Sequence, residues 1–332
     1  MKHFLSRLLY FLIPLLLFSF AADFTLSYSL RRSNKYPGEI EVWNDIYKGT
    51  AGCDIAIYGS SRAWVQIDPE ILEDSLNQKC YNFGMDGHNF QLQYLRHLEL
   101  IKHNRKPTHI LLSADMFSLE KRKDLYESDQ FLPFMLWNNN IRHFTESYIG
   151  YRDVDYYLPL IRFSGKYKAV KTGISLLRRK AASKPYRKNG FRAMDRTWNS
   201  DFEKAQETNN KYVVKIDRRT VALFEQFIRE CNKENIELTL LYAPEYKEGQ
   251  DFVSNRKEVM DIFRAYSKKY DLEFIDYSDD SICLDKNLFY NASHLNRSGA
   301  SLFSKKLASS MKRRSALKDL HPDKKNDFPE RN

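Results

Sequence analysis

The stretch Ile57-Tyr58-Gly59-Ser60-Ser61-Arg62-Ala63 decides the fold, because it reads as the end of a buried strand that turns at once into a helix. The preceding run, 53–58, is short, apolar and rich in β-branched residues, which is typical of a strand. Glycine permits a tight turn, and the serine after it can project its hydroxyl toward solvent. In α/β proteins, sites are built where strands end in this way.

Strand-like and helical segments alternate around this turn. Further strands are predicted at 79–83, 108–113, 236–242 and 272–275, and helices at 69–76, 89–103, 218–234, 256–269 and 298–311. Asp68 can cap the first of these helices, with Pro69 at its first position. Strands separated by helices of this length require right-handed crossovers. The sequence therefore predicts an α/β fold in three layers, α/β/α, with a five-stranded parallel sheet.

The alternation is interrupted, which divides the chain into predicted regions. Residues 31–117 and 217–311 form the α/β domain, with 31–50 as a short tether, and 118–216 form a mainly helical, aromatic insertion. Within it, residues 131–216 carry 17 Lys or Arg against 7 Asp or Glu, an excess equal to the net charge of +10 of the whole chain. Residues 312–332 are rich in Lys, Arg, Asp and Pro, contain few apolar residues and are predicted to be a disordered tail.

The N-terminal residues 1–30 are predicted to be a membrane anchor or a signal segment. An apolar stretch runs from Phe4 to Ala22, and Lys2 and Arg7 precede or open it. The positive-inside rule then keeps the N-terminus cytoplasmic and exports the remainder. An uncleaved anchor continuing to Leu30 is favoured over a signal peptide cleaved near Ala21, which would yield a secreted protein. In both cases the bulk of the chain is extracytoplasmic, in the periplasm or at the cell surface.

The four cysteines are too few and too scattered for a disulfide framework or a zinc site. Cys53 and Cys80 lie at the starts of predicted neighbouring strands, so a bridge between them is one reading and two free buried thiols the other. The sequence contains no phosphate-binding loop, dinucleotide-binding glycine fingerprint or His-Glu-x-x-His motif, and we expect neither cofactor nor metal.

Two more segments carry residues suited to chemistry. After the second predicted strand the chain reads Phe83-Gly84-Met85-Asp86-Gly87-His88, where glycine allows a backbone amide to approach a developing oxyanion. Near the C-terminus it reads Asn291-Ala292-Ser293-His294-Leu295. A serine and a histidine from opposite ends of one domain could thus meet at the carboxyl edge of the sheet.

In order and approximate spacing, these segments resemble the blocks of the SGNH (GDSL-type) hydrolase superfamily. The resemblance covers about residues 50–117 and 217–311 and implies the flavodoxin-like SGNH fold. It places the nucleophile at Ser61, with Ser60 where the family has aspartate, and the general base at His294. The implied oxyanion hole consists of the backbone amides of Ser61 and Gly87. Arg62, His88 and Asp115 are expected to contact substrate.

The chain departs from the family pattern at two places. The third block reads Ser113-Ala114-Asp115-Met116-Phe117 and lacks the oxyanion-hole asparagine. Asn291 replaces the acid expected three residues before His294. An asparagine can orient a histidine but cannot stabilise the imidazolium by charge, and in a serine-protease triad the same change costs ~10⁴ in turnover. The sequence therefore predicts weakened or differently tuned chemistry.

The N-terminal anchor, the insertion and the Gly-Ser-Ser variant resemble the envelope-polysaccharide acylation members, of the alginate acetylation and teichoic-acid D-alanylation type. This implies a serine esterase or O-acyltransferase acting on acyl esters of cell-envelope or exported polysaccharide, with a membrane-bound O-acyltransferase as a possible partner. The alternative is a weak or inactive scaffold protein that binds glycan or assists such an acyltransferase. The basic aromatic insertion is either a packed cap or a groove for carbohydrate or anionic polymer. No nucleic-acid partner is expected.

Overall fold

Five strands form the central sheet: β1 (Ile55–Gly59), β2 (Cys80–Asn82), β3 (His109–Ser113), β4 (Glu237–Tyr242) and β5 (Glu273–Asp276). The computed structural model describes residues 2–36, 38–87, 89–178, 185–208 and 211–320. The strands are parallel and follow the order β2-β1-β3-β4-β5. Because the order reverses between β1 and β3, the carboxyl ends of these two strands border the crevice in which ligands bind in folds of this kind.

The helices, in chain order, are α1 (Lys2–Leu30), α2 (Ile40–Tyr47), α3 (Ser61–Gln66), α4 (Pro69–Leu76), α5 (Phe90–His103), α6 (Asn139–Thr145), α7 (Asp153–Tyr157), α8 (Tyr167–Arg178), α9 (Asp201–Thr208), α10 (Arg218–Lys233), α11 (Lys247–Asp251), α12 (Arg256–Tyr270) and α13 (Arg297–Leu320). Short 3₁₀ helices cover Ser128–Phe131, Ile161–Phe163, Ser281–Leu284 and Lys286–Leu288. A hairpin of β6 (Phe289–Asn291) and β7 (His294–Leu295) precedes α13.

The sheet is buried on both faces. Alternate side chains of β1, such as Ile55 and Ile57, pack with α3, α4 and α13. The intervening Tyr58 contacts aromatic rings of α5 and α10 on the opposite face. Successive side chains of a strand point to opposite faces, which explains why nearly every residue of β1 and β4 is apolar.

The predicted fold class is confirmed, since five parallel strands lie between two helical layers. Helix α4 has the predicted bounds because Asp68 accepts a hydrogen bond from the Glu70 amide and Pro69 occupies the first turn. Helix α13 continues to Leu320, so residues 312–320 of the predicted tail are helical. Residues 321–332 lie outside the described part of the chain.

The chain divides into two compact units. The sheet unit comprises residues 48–121 and 187–332, and the N-terminal unit comprises residues 1–47 and 122–186. The segment interpreted as a tether contains α2, whose Trp43 is fully buried. The core of the N-terminal unit also contains four aromatic residues of the predicted insertion, namely Phe131, Phe134, Tyr148 and Tyr156. Part of the predicted insertion therefore folds around a packed aromatic core.

All four cysteines are buried free thiols, so no disulfide joins Cys53 to Cys80. Cys80 pairs with Ile55, two residues along the chain from Cys53. Burial raises the pKa of both thiols to about 12, which keeps them protonated and unreactive at neutral pH.

Candidate active site

The nucleophile turn follows β1 directly. Gly59 adopts a φ of +147°, and a Cβ there would lie 2.7 Å from the Cβ of Ala63 and 2.9 Å from the carbonyl oxygen of Ser113. Ser60 caps α3, with its Oγ accepting a hydrogen bond from the Arg62 amide at 3.3 Å. Ser61 is therefore the first residue of α3, where an amide N–H has no acceptor within the helix.

The β6–β7 hairpin brings a histidine to this turn. The Oγ of Ser61 lies 2.8 Å from Nε2 of His294. On the other side of the ring, Nδ1 lies 2.9 Å from Oδ1 of Asn291. Residues 61 and 294, which are 233 positions apart in the chain, are thus in hydrogen-bond contact. Ser61, His294 and Asn291 therefore have the spacing that a nucleophile, a base and an orienting group have in a hydrolytic triad.

The hairpin also fixes which way the amide of Asn291 faces. The backbone N–H of Ser293 donates to Oδ1 of Asn291 at 3.1 Å. Because this atom must be the acceptor, it can only accept from Nδ1–H of His294. The imidazole is therefore protonated on Nδ1, and the free lone pair of Nε2 accepts the hydroxyl proton of Ser61. Asn291 selects the tautomer that a general base requires.

Two neighbours hold the histidine loop in place. Tyr290 stacks on the ring of His294, with centroids 5.3 Å apart and planes at 11°. The carbonyl of Ala292 accepts a hydrogen bond from the Tyr246 amide at 2.9 Å. Burial, together with the positive charges of Arg62 and Arg196, lowers the pKa of His294 to about 3. The imidazole is consequently neutral, and available as a base, throughout the physiological pH range.

Arg62 and Glu245 form a buried ionic network beside the serine. Their side chains are each 4% exposed and approach to 3.7 Å. Glu245 accepts from the Tyr242 hydroxyl at 2.5 Å and from Oγ of Ser293 at 3.5 Å. The guanidinium of Arg62 lies 4.6 Å from the centre of the Tyr242 ring and donates to the Ala243 carbonyl. Glu245 thus connects the helix of the nucleophile to the loop of the histidine.

Asn82, at the end of β2, positions α3 through hydrogen bonds to its backbone. Its Nδ2 donates to the carbonyls of Ala63 and Ile67, both at 2.8 Å, and its Oδ1 accepts from the Gly84 amide at 2.9 Å. A Cβ on Gly84 would lie 2.6 Å from the backbone nitrogen of Trp64. The second block therefore packs directly against the backbone of the nucleophile helix.

Gly87 and His88 are the two other candidate site residues of the second block. Gly87 lies in the turn after β2 with a φ of +67°, a conformation that favours glycine. Its amide remains our predicted second donor of the oxyanion hole. His88 lies outside the described residues, so its predicted contact with substrate stays a prediction.

Asp115 follows β3 and is 2% exposed. One carboxylate oxygen accepts from the Phe117 amide at 2.9 Å and from Oγ of Ser118 at 3.3 Å. The other accepts from Oγ of Ser60. In these positions Asp115 anchors the residue that precedes the nucleophile. Substrate contacts by Asp115 and Arg62 remain predictions.

Residues 185–200, which have no regular structure, run along the carboxyl edge of the sheet unit from Arg187 onward. The Asn82 amide donates to Asn189, the Arg192 amide donates to Trp64, and the Asn199 amide donates to Tyr290. Arg187 stacks 3.9 Å from the ring centre of Trp64. This segment connects β2, the nucleophile helix and the histidine hairpin.

The structure thus brings Ser61, His294 and Asn291 together. Sequence reasoning missed Glu245 and Asn82. The available signal was their position at or just after the carboxyl end of a strand, since β2 ends at Asn82 and Pro244 follows β4. Within the described ranges, no group of three or more His, Cys, Asp or Glu side chains could hold a metal ion. One helix in those ranges, at Ser6–Leu30, is long and apolar enough to cross a membrane.

Comparison with known proteins gives structural neighbours only. No protein-family model matches the chain, and no curated protein matches it by sequence. A Streptococcus pneumoniae protein solved under the name platelet activating factor is 13% identical, with 92% of this chain and 99% of that chain covered and a TM-score of 0.39.

Two Bacteroides proteins are also similar in structure. A B. fragilis protein solved under the name acylhydrolase is 10% identical over 78% of this chain and 86% of its own, with a TM-score of 0.33. A GDSL-like lipase of B. thetaiotaomicron is 9% identical over 78% and 88%, with a TM-score of 0.36. The functional assignment therefore rests on the geometry of the site.

Proposed function

We propose that this protein is a membrane-anchored, extracytoplasmic serine esterase or O-acyltransferase of the SGNH type. Its substrates are acyl esters of cell-envelope or exported polysaccharide. One observation carries the proposal: Ser61, His294 and Asn291 are joined by hydrogen bonds of 2.8 and 2.9 Å in the tautomer suited to general-base catalysis.

In the acylation step, Nε2 of His294 takes the hydroxyl proton as Oγ of Ser61 attacks the ester carbonyl. The amides of Ser61 and Gly87 stabilise the resulting oxyanion. When the tetrahedral intermediate collapses, the bond to the alcohol breaks, His294 returns the proton to the departing alkoxide, and an acyl-Ser61 ester remains.

In the second step, His294 removes a proton from the acceptor, which attacks the acyl-Ser61 carbonyl and releases Ser61. Water as acceptor gives an esterase, and a sugar hydroxyl gives an O-acyltransferase. The apolar helix supports an anchored protein that works at the membrane surface. The resemblance to the envelope acylation proteins adds a membrane-bound O-acyltransferase as the partner we propose. Cleavage near Ala21 would instead give a secreted protein.

The test is covalent trapping with a fluorophosphonate probe. Wild type and Ser301→Ala, a change on α13, should label equally, whereas Ser61→Ala should not label and His294→Ala should label far more slowly. Equal labelling of wild type and Ser61→Ala would contradict the nucleophile assignment. Incubation of the acylated enzyme with a glycan then distinguishes transfer to the sugar from hydrolysis.

The second candidate function is a scaffold that binds glycan or assists a membrane-bound acyltransferase without its own chemistry. Asn291 favours it, because the orienting group lacks the charge that stabilises an imidazolium. Failure of the folded wild type to label with the probe, combined with retained binding to acylated glycan, would support this function.

A further inference from the structure

Helix α1 is longer than a membrane requires. Its apolar part, Ser6–Leu30, spans 25 residues, and an 18-residue window within it has a mean hydropathy of 1.9. At 1.5 Å per residue it is about 37 Å long, against ~30 Å for the hydrocarbon core of a bilayer. The side chains before Phe20 are largely exposed, whereas Asp23, Ser27, Ser29 and Leu30 are buried against the N-terminal unit. The unit therefore begins to cover α1 before the apolar stretch ends.

A buried ion pair marks the point along α1 at which the N-terminal unit begins to pack against the helix. Asp23 lies 2.6 Å from the guanidinium of Arg162, and the two side chains are 4% and 2% exposed. Asp23 also accepts from the Leu160 amide at 2.7 Å. Asp23 is 16 residues beyond Arg7, or about 24 Å along the helix. With Arg7 at the cytoplasmic edge of the bilayer, Asp23 therefore lies within the ~30 Å of hydrocarbon. Because a polar group at that depth needs a partner, the segment that carries Arg162 must reach the same depth.

Helix α8 packs closely on the same part of α1. Its buried face consists of Ala169 and Gly173. The Oγ of Ser29 donates to the Gly173 carbonyl at 2.5 Å, and a Cβ on Gly173 would lie 3.1 Å from a methyl carbon of Leu26. Small residues allow such close approach of two helices. The end of α1 and α8 therefore form one packed element.

Exposed apolar side chains surround this junction. We call the following six residues the apolar collar: Trp137, Tyr157, Leu158, Ile161, Ile174 and Leu177, all more than a third exposed. Trp137 stacks on Phe20 of α1 at 5.7 Å, and its Nε1 donates to the Tyr157 carbonyl at 3.0 Å. Trp137 also has a φ of +57°, which is strained for a bulky residue, so the fold holds its ring outward against α1.

We infer that the apolar collar lies in the interfacial layer of the same bilayer that α1 crosses, so that the N-terminal unit is partly embedded. Tryptophan and tyrosine are enriched at this layer, and apolar side chains beside a membrane helix gain free energy by leaving water. Lys171 on α8 is an exposed cation beside the collar, whereas Arg142, 5.6 Å from the Tyr157 ring centre, pairs with Glu146 at 3.5 Å. Lys171 complements anionic headgroups.

The inference rests on the anchor part of the proposed function, because cleavage near Ala21 would remove Phe20 and with it the contact to Trp137. It does not depend on the chemistry at Ser61. The embedded collar restricts how far the N-terminal unit can tilt from the membrane, which a single flexible tether would not do.

The test uses the full-length protein in vesicles of phosphatidylcholine and phosphatidylglycerol, with and without bromine on the acyl chains near the headgroup. Bromine quenches tryptophan only at close range. The four tryptophans are Trp43, Trp64, Trp137 and Trp198. We expect the quenched part of the emission to fall almost to zero in Trp137→Phe and to be unchanged in Trp198→Phe, the control in the sheet unit. Equal quenching in wild type and Trp137→Phe would overturn the inference.

Two further measurements separate the possible failures. Mass determination of the vesicle-bound protein reports whether residues 1–21 are present, and a chain that starts after Ala21 also overturns the inference. Fluorophosphonate labelling of the same sample reports on Ser61. Quenching without labelling supports the collar and contradicts the enzyme, whereas labelling without quenching does the reverse.

Discussion

Oδ1 of Asn291, and not its amide nitrogen, faces Nδ1 of His294 at 2.9 Å, because the Ser293 amide occupies a second lone pair of the same oxygen. In a triad where asparagine replaces the acid, much of the ~10⁴-fold loss comes from the wrong tautomer of the histidine. Here the hairpin prevents that error. At this position the chain lacks the negative charge but not the correct tautomer, and the part of the catalytic deficit that comes from Asn291 should be correspondingly smaller.

The first prediction concerns that charge. Asn291→Asp should raise kcat/KM for a simple ester such as p-nitrophenyl acetate, on the order of 10- to 100-fold, because a carboxylate stabilises the imidazolium that forms in the transition state. It should also raise the pKa of His294. Asn291→Ala should lower kcat/KM, since neither tautomer nor ring orientation is then enforced. An Asn291→Asp variant no faster than wild type would contradict this account.

The second prediction is the pH dependence of acylation. The neutral imidazole is the active form, and its pKa is lowered from 6.5 to about 3 by burial and by Arg62 and Arg196. At pH 5 an unshifted histidine would be only ~3% neutral, whereas His294 stays neutral. We expect kcat/KM to be constant from pH 8 down to about pH 5, as measured by initial rates in wild type.

The comparison that completes this experiment is Asn291→Asp, whose loss of activity on acidification should begin at a higher pH than in wild type. A wild-type profile that falls with an apparent pKa near 6.5 would show that the ring is open to solvent in solution.

The third prediction concerns Glu245, which joins Arg62 to Ser293. Glu245→Gln removes the charge that compensates a buried guanidinium, and breaking such a pair costs about 3–5 kcal/mol in free energy of unfolding. Asp115 also lies near Arg62 and raises its pKa, so we expect the lower end of that range. Denaturant unfolding measures the change.

The matched control is Glu248→Gln, because Glu248 is exposed and lies only three residues further along the chain, in α11. Its unfolding midpoint should change little. Equal effects of the two variants would mean that the network around Arg62 contributes nothing to stability.

Local patterns predict the sheet because each strand and each helix end depends on signals within a few residues. The pairing of Ser61 with His294, 233 positions apart, follows only from the resemblance to a family and from no local pattern. The end of β1 is marked by the Gly-Ser-Ser turn, and the start of α4 by Asp68 and Pro69. The partners of Arg62 cannot be predicted from local patterns, because they are distant in the chain. Arg62 and the Ala243 carbonyl are 181 positions apart, and no periodicity in the chain couples them.

The irregular segment after residue 185 could not be predicted for the same reason. It lacks the period of a helix or strand, and its order comes from backbone hydrogen bonds such as those of Asn189 with Asn82 and of Asn199 with Tyr290. These contacts exist only once β2 and the hairpin are in place. A sequence without periodicity reads as a loop, whether or not distant partners hold it in one conformation.

The last prediction concerns the close approach of the second block to the nucleophile helix. In Gly84→Ala the new methyl group would lie 2.6 Å from the Trp64 nitrogen and 2.9 Å from the Ser60 carbonyl oxygen, both of them backbone atoms. Because backbone atoms cannot move aside as a side chain can, α3 must shift. We expect a loss of about 1–3 kcal/mol in free energy of unfolding and a larger proportional loss of kcat than of substrate binding.

Gly52→Ala is the control, since its methyl group would meet only the flexible side chain of Arg105 at 3.2 Å. A Gly84→Ala protein as stable and active as Gly52→Ala would show that α3 and the second block are not packed this closely, and the position of Ser61 would then depend on the contacts of Asn82, Asp115 and Arg62.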